Sequence, residues 1–227
     1  MKKLMILALL AIATIAQGKT LVVFYSFTNN TRTIANDLVE QTGADVVEVV
    51  PQEEGLDYAA NGYAIGSSLI AAIRENPTDG SSYPAIKTTI DNLDDYDVIL
   101  VATPLWWSNM AAPMQTFLFR YGAQMAGKHV GLIVSSHSSS ISGVESDARR
   151  LVPDGDFFSE SLWIRSSQTS NCHKMIAEWL GEIGYNEVTS VERVSIAESM
   201  PTYALNGMRR GNPRKGIYIK NGKKYGF

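Results

Sequence analysis

The chain has 227 residues, 45% of them apolar, enough for one α/β domain with a full core and with residues to spare. A single cysteine, Cys172, excludes an intrachain disulfide framework and a cysteine-based metal cluster. The formal charge of −3 is unevenly spread: residues 209–227 and Lys2 and Lys3 hold nine of the 20 basic side chains and no acid, so residues 19–208 carry 11 bases against 23 acids, a net of −12. That acidic body argues against nucleic acid as a partner, since a polyanion would be repelled.

Met1 to Gly18 reads as an export signal. Lys2 and Lys3 precede a 13-residue apolar run, Leu4 to Ala16, well short of the roughly 20 residues that span a bilayer. Ala16-Gln17-Gly18 fits a small-x-small cleavage site, which predicts a mature protein starting near Gln17 or Lys19 with no integral membrane span. Residues 1–18 are therefore taken as a signal peptide, 19–187 as the folded domain and 188–227 as a basic extension.

Leu21 to Tyr25 is a continuous apolar run, suited to a strand buried on both faces. A polar turn follows, and Ile34, Ala35, Leu38 and Val39 then recur at helical spacing. Ala44 to Val50 predicts a second strand closed by Pro51. Within the polar stretch 52–83, Ile65, Leu69, Ala72 and Ile73 predict a helix ending before Asn76-Pro77. Asp97 to Ala102 predicts a third strand and Ala111 to Arg120 a helix. Lys128 to Ser135 predicts a fourth strand, followed by a helix ending at Leu151. A fifth strand is expected within Asp156–Ile164 and a final amphipathic helix over Gln168–Ile183. Strict alternation of this kind predicts a doubly wound, five-stranded parallel sheet with helices on both faces.

In such a sheet a ligand binds beyond the carboxyl ends of the strands. Three loops lie there. The first, Ser26-Phe27-Thr28-Asn29-Asn30-Thr31, sits between a strand and a helix N-terminus, where free backbone N–H groups and the helix dipole favour a phosphate. Its hydroxyls and amides supply further hydrogen bonds. Neither a G-x-G-x-x-G nor a G-x-x-x-x-G-K-[ST] motif is present in the turn, so a mononucleotide phosphate fits better than a dinucleotide or a triphosphate. The plainer alternative is that Thr28 or Asn30 simply caps the helix. The second loop, Thr103-Pro104-Leu105-Trp106-Trp107, carries two adjacent tryptophans, which lose apolar contact unless something covers them. One is expected to plug the core beneath the loop, and Trp106 is favoured as the residue that stacks on a ligand. The third loop holds His137, Ser138, Ser139, Ser140 and Gly143; its histidine is given contact but no catalytic role.

Tyr25-Ser26-Phe27-Thr28-Asn29-Asn30-Thr31 resembles the FMN-phosphate loop of flavodoxins, which reads roughly Y-S-x-T-G-N-T. Asn29 replaces the family's glycine and is among the few residues that tolerate a left-handed backbone. Pro104-Leu105-Trp106-Trp107 and Pro113-Met114-Gln115-Thr116-Phe117-Leu118 resemble the P-x-W-W and P-x-x-T-F-L patterns of one flavodoxin-like branch, in which the loop equivalent to 137–143 reads roughly T-H-G-G-S-G. The resemblance runs from about Thr20 to Leu180 and implies FMN as cofactor. Its phosphate would lie on Ser26, Thr28, Asn29, Asn30 and Thr31, and its ring between Thr103–Trp107 and His137–Gly143. Acidic and aromatic surroundings would disfavour the anionic hydroquinone and make it a stronger reductant.

That implies electron transfer to a redox partner protein or a small quinone-like acceptor. The alternatives are an NAD(P)H-dependent quinone or nitro-compound reductase and a non-redox flavin-binding or interaction module. Near the end of the chain, Ile217-Tyr218-Ile219-Lys220 before Asn221-Gly222 predicts a strand entering a tight hairpin. The run from Tyr203 to Lys224 is similar to short C-terminal modules of secreted and surface proteins of the Bacteroidota. With the N-terminal signal, that similarity implies an exported, periplasmic or surface location; a basic tail folded on an acidic body is the competing reading.

Overall fold

The computed structural model describes residues 18–189 and, beyond them, the backbone of four short strands between Thr202 and Gly226. The expected signal peptide lies outside the described residues.

Residues 18–189 form one compact unit. β1 (Thr20–Phe24), β2 (Asp45–Glu48), β3 (Val98–Trp106) and β5 (His129–Ser136) are parallel in the order β2-β1-β3-β5. The outermost position beyond β5 is shared by two short parallel strands, β6 (Asp156–Phe157) against its beginning and β7 (Leu162–Arg165) against its end. The five expected strand positions are thus present, with the last one split. Five α-helices return the chain between or after these strands, namely α1 (Asn30–Thr42), α2 (Ala60–Glu75), α3 (Ala112–Tyr121), α4 (Ser142–Leu151) and α5 (Cys172–Glu182), and a short α6 (Tyr185–Val188) ends the unit.

Because side chains alternate across a strand, β1 feeds two cores. Leu21 and Val23 pack into a cluster with Ile70, Ile73, Met114, Phe117 and Val144 of α2, α3 and α4, while Val22 and Phe24 pack against Ile34, Leu38, Ile176 and Trp179 of α1 and α5. Leu21, Val22 and Val23 are fully buried, each contributing about 1.5–3 kcal/mol of apolar transfer. That double burial explains why β1 reads as an unbroken apolar run.

Three elements depart from expectation. β3 does not stop at Ala102; it continues through Thr103 and Pro104, which pair with Val134 and Ser135 of β5, to Trp106. It then turns back at Trp107-Ser108 into β4 (Asn109–Met110), with Leu105 opposite Met110 and Trp106 opposite Asn109. The expected loop is therefore a strand end and a hairpin, which Pro104 tolerates by lying at the ladder's end. In α2, Asn61, Gly62 and Tyr63 all have positive φ, so regular helix begins only after them. The expected helix from Gln168 begins as a 3₁₀ turn over Ser166–Asn171 and becomes α-helical at Cys172.

Beyond Thr189, β8 (Thr202–Ala204), β9 (Arg209–Arg210), β10 (Ile217–Lys220) and β11 (Lys223–Gly226) form an antiparallel sheet in the order β11-β10-β8-β9. Lys220 pairs with Lys223; the expected tight turn at Asn221-Gly222 lies outside the described residues.

Candidate functional site

The site begins where β1 ends. Tyr25 is still tied to the sheet, its N–H donating to the Ala102 carbonyl at 3.1 Å. The chain then leaves the sheet and enters α1 through Asn29, whose φ of 65° is left-handed. Asn pays little for that conformation, so the turn keeps its shape without the glycine.

Asn29 is also the N-cap residue, and no side chain closes the helix end. Neither Thr28 nor Asn30 caps it; the Asn30 amide instead donates to Thr28 Oγ1 at 3.4 Å. The first N–H groups of α1 have no acceptor within the helix and are left for an incoming anion. Ser26 adds a sharper observation: its Oγ is buried and has no hydrogen-bond partner. An unpaired buried hydroxyl costs about 1–3 kcal/mol, a cost removed when an acceptor arrives. Thr31 is also buried, at 2% exposure, on the first turn of the helix. Arg32 is pulled aside into a bidentate pair with Glu48, at 2.7 and 2.5 Å. The loop therefore meets an anion with neutral donors and the dipole of α1, the arrangement that suits a phosphate.

The tryptophans divide their roles. Trp106 is half-buried at the centre of an aromatic group, 4.9 Å from the Tyr58 ring and edge-on to Tyr25 at 5.7 Å and Phe27 at 6.1 Å. Trp107 is 42% exposed. Its φ is 45° and that of Ser108 is 63°, the pattern of a type I′ hairpin turn, which normally selects Asn-Gly. For a residue as large as Trp, holding that conformation costs about 1–3 kcal/mol. The Trp107 ring lies against α2 at Gly66, where an added Cβ would fall 2.8 Å from the indole. Thr103 is fully buried, its hydroxyl donating to the Pro104 carbonyl at 3.1 Å, and Leu105 packs partly buried against the core.

Leu105, Trp106 and Trp107 line an open cleft of about 340 Å³ together with Phe27, Tyr58, Gly62 and Tyr63. No charged side chain lines it. The cleft connects the first loop, through Phe27, with the tryptophan hairpin. Burial holds the Tyr25 phenol well above its ordinary value, with the neighbouring Tyr58 and Glu48 charges acting in the same direction. Tyr58 is raised by burial and then by Glu53. Both stay neutral at physiological pH, so the cleft remains an uncharged aromatic surface.

The third loop stands apart from the cleft lining. His137, Ser138, Ser139 and Ser140 are all exposed, with Ser136 Oγ donating to the Ser139 carbonyl at 3.3 Å. Gly143, in the first turn of α4, has a packing role: an added Cβ would lie 1.8 Å from the Ser108 carbonyl oxygen. The glycine lets the tryptophan hairpin sit directly on α4.

Sequence reasoning missed Tyr58, Gly62 and Tyr63. They lie in a polar stretch without helical or strand period, and only the Asn61-Gly62 pair, a left-handed turn signal, marked it. Among the described residues no group of His, Cys, Asp and Glu is arranged to hold a metal ion.

A doubly wound sheet with an open, hydroxyl-lined helix N-terminus at its carboxyl edge and an aromatic cleft beside it defines a mononucleotide-binding α/β protein. The flavodoxin family model matches residues 19–183, and the chain belongs to the flavodoxin family. A flavoprotein-class structure from Bacteroides eggerthii is similar to it at 25% identity, covering 73% of this chain and 98% of its own with a TM-score of 0.59. A second, from Bacteroides uniformis, is 24% identical, covering 70% and 98% with a TM-score of 0.53. A flavoprotein from Lactobacillus acidophilus, solved in complex with FMN, is 21% identical and covers 68% of this chain and 97% of its own, with a TM-score of 0.54.

Proposed function

We propose that this chain binds FMN and works as a one-electron carrier. The cofactor is FMN, supported by the flavodoxin family match and by the FMN complex of the Lactobacillus acidophilus relative. The observation that carries the assignment in this chain is the partnerless buried Oγ of Ser26 beside the uncapped start of α1. Ser26, Thr28, Asn30 and Thr31 would hold the phosphate together with the N–H groups of the turn. Trp107 and the aromatic cleft offer apolar cover to the ring system, and Trp106 fixes the floor of that cleft through Tyr25 and Tyr58. Bound FMN supplies one- and two-electron chemistry, which the protein tunes through its contacts.

The acidic body, net −12 over residues 19–208, gives the carrier a surface suited to a basic redox partner. Met1–Gly18, with its lysine pair and short apolar run, supports a carrier that works outside the cytoplasm, in the periplasm or at the surface. Among the described residues no helix is long and apolar enough to cross a membrane.

The cleft is open to one side, which favours a second reading, an NAD(P)H-dependent quinone or nitro-compound reductase, because a ring lying against the cleft wall would keep its outer face free for a flat uncharged substrate. The two separate by rate. Photoreduced holoprotein is mixed with ferricytochrome c, and oxidised holoprotein with NADPH and menadione. Fast oxidation of the photoreduced flavin with negligible NADPH consumption is expected; turnover of NADPH and menadione at enzymatic rates would instead establish the reductase.

A further inference from the structure

The left-handed turn at Trp107-Ser108 is an unfavourable conformation for both residues, and something must hold it. Immediately after it, both backbone groups of Met110 are taken by side chains. Its N–H donates to Asp147 Oδ2 at 2.9 Å, and its carbonyl accepts from Gln115 Nε2 at 2.8 Å. Asp147 Oδ2 also accepts from the Asn109 amide at 3.1 Å. Arg150 joins the two holders, donating to Asp147 Oδ1 at 3.0 Å and to Gln115 Oε1 at 2.8 Å, and reaches the Tyr83 hydroxyl at 3.0 Å. Asp147 and Gln115 are buried.

A buried carboxylate is expensive unless each of its oxygens is paired. Here both are, and Asp147 Oδ2 is devoted to the hairpin. Gly143, one turn before Asp147 on α4, removes the Cβ that would otherwise strike the Ser108 carbonyl. We infer that Asp147, Gln115 and Arg150 form a clamp that holds β4 against α3 and α4 and so keeps Trp107 at the cleft, making Asp147 a positioning residue for the aromatic loop. Its effect on the turn is independent of the cofactor; its effect on flavin rests on the FMN reading.

The test compares Asp147→Ala, Asp147→Asn and Gln115→Ala with Ile176→Ala, a truncation in the core on the opposite face of the sheet. In flavin-free full-length protein, amide exchange is measured at Met110 and, as an internal reference, at Val134 in β5. Asp147→Ala is expected to speed exchange at Met110 at least 100-fold relative to Val134. Asp147→Asn keeps an acceptor for the Met110 N–H but turns its NH2 toward Arg150, which had an acceptor there, so its acceleration should fall between wild type and Asp147→Ala. Ile176→Ala should lower Tm without changing the ratio of the two sites. In FMN-loaded protein, Asp147→Ala should relieve flavin fluorescence quenching and weaken FMN and riboflavin alike. Equal acceleration at Met110 and Val134 in Asp147→Ala would overturn the clamp; should that variant fail to fold, Gln115→Ala decides by the same ratio. A wild-type chain that takes no FMN would refute the cofactor reading, while the exchange ratio would still decide the clamp.

Discussion

Replacing Gly143 by Ala is the sharpest probe of how the site is assembled. The new Cβ would lie 1.8 Å from the Ser108 carbonyl oxygen, whereas real Cβ atoms stay beyond 3.0 Å, so the hairpin and α4 must part by about 1.2 Å. Overpacking of that kind costs about 1–3 kcal/mol. The better helix propensity of Ala returns up to about 1 kcal/mol. In a chain of this size each net kcal/mol lowers Tm by about 2–4 °C. Gly122→Ala is the matched control, since its Cβ would meet the Leu151 carbonyl oxygen at 2.0 Å, at the end of α3 and α4 away from the tryptophan hairpin. Thermal unfolding, flavin titration and flavin fluorescence are measured for both. Both variants should lose stability, but Gly143→Ala alone should weaken flavin binding and quenching, because only it moves the turn that carries Trp107. If the two lose flavin equally, or neither loses stability, the reasoning about this close approach is wrong.

Further outcomes follow from the same geometry. Ser26→Ala removes an unpaired buried hydroxyl and should leave the flavin-free protein as stable as wild type or slightly more so, while lowering FMN affinity more than tenfold; a loss of stability in the flavin-free form would show that Oγ already has a partner. Trp107→Ala should restore more flavin fluorescence than Trp106→Ala, whose main effect should be a fall in Tm through the loss of contacts to Tyr25, Phe27 and Tyr58; the reverse order would return stacking to Trp106. The Tyr25 phenol is raised above its ordinary 10.0 in the folded state, so its contribution is fully present below that pH and is lost as pH rises beyond it, by up to about 1.4 kcal/mol per pH unit. Denaturant titrations from pH 9 to 11 should therefore show a shallower alkaline decline in Tyr25→Phe, and identical slopes would contradict that assignment.

Much of this was legible because each strand of the core is a contiguous run with a single reading. Leu21–Tyr25 lies between two helical layers, and the polar residues after it can only form the turn into α1. The left-handed position was marked by the resemblance to the flavodoxin loop, whose glycine Asn29 replaces, and the φ of 65° there agrees with it. The tryptophan segment was misread because Pro104 argues against a strand, and because no local signal says that a Trp-Ser pair will adopt the conformation usually given to Asn-Gly. What stabilises that turn is tertiary: Gln115, Asp147 and Arg150 sit on helices 7 to 42 residues after Ser108, and their polar side chains read in sequence as ordinary helix surface. Tyr58 and Tyr63 were hidden for a similar reason, since the left-handed run at 61–63 breaks the period by which a helix is recognised.

The most direct test of the account is a calorimetric titration of the flavin-free protein with FMN and, separately, with riboflavin. One FMN per chain is predicted, bound at least tenfold more tightly than riboflavin, with Thr28→Ala combined with Thr31→Ala removing most of that difference and leaving riboflavin affinity unchanged. Equal affinity for the two flavins in the wild-type protein would contradict the assignment of residues 26–31 as the phosphate loop.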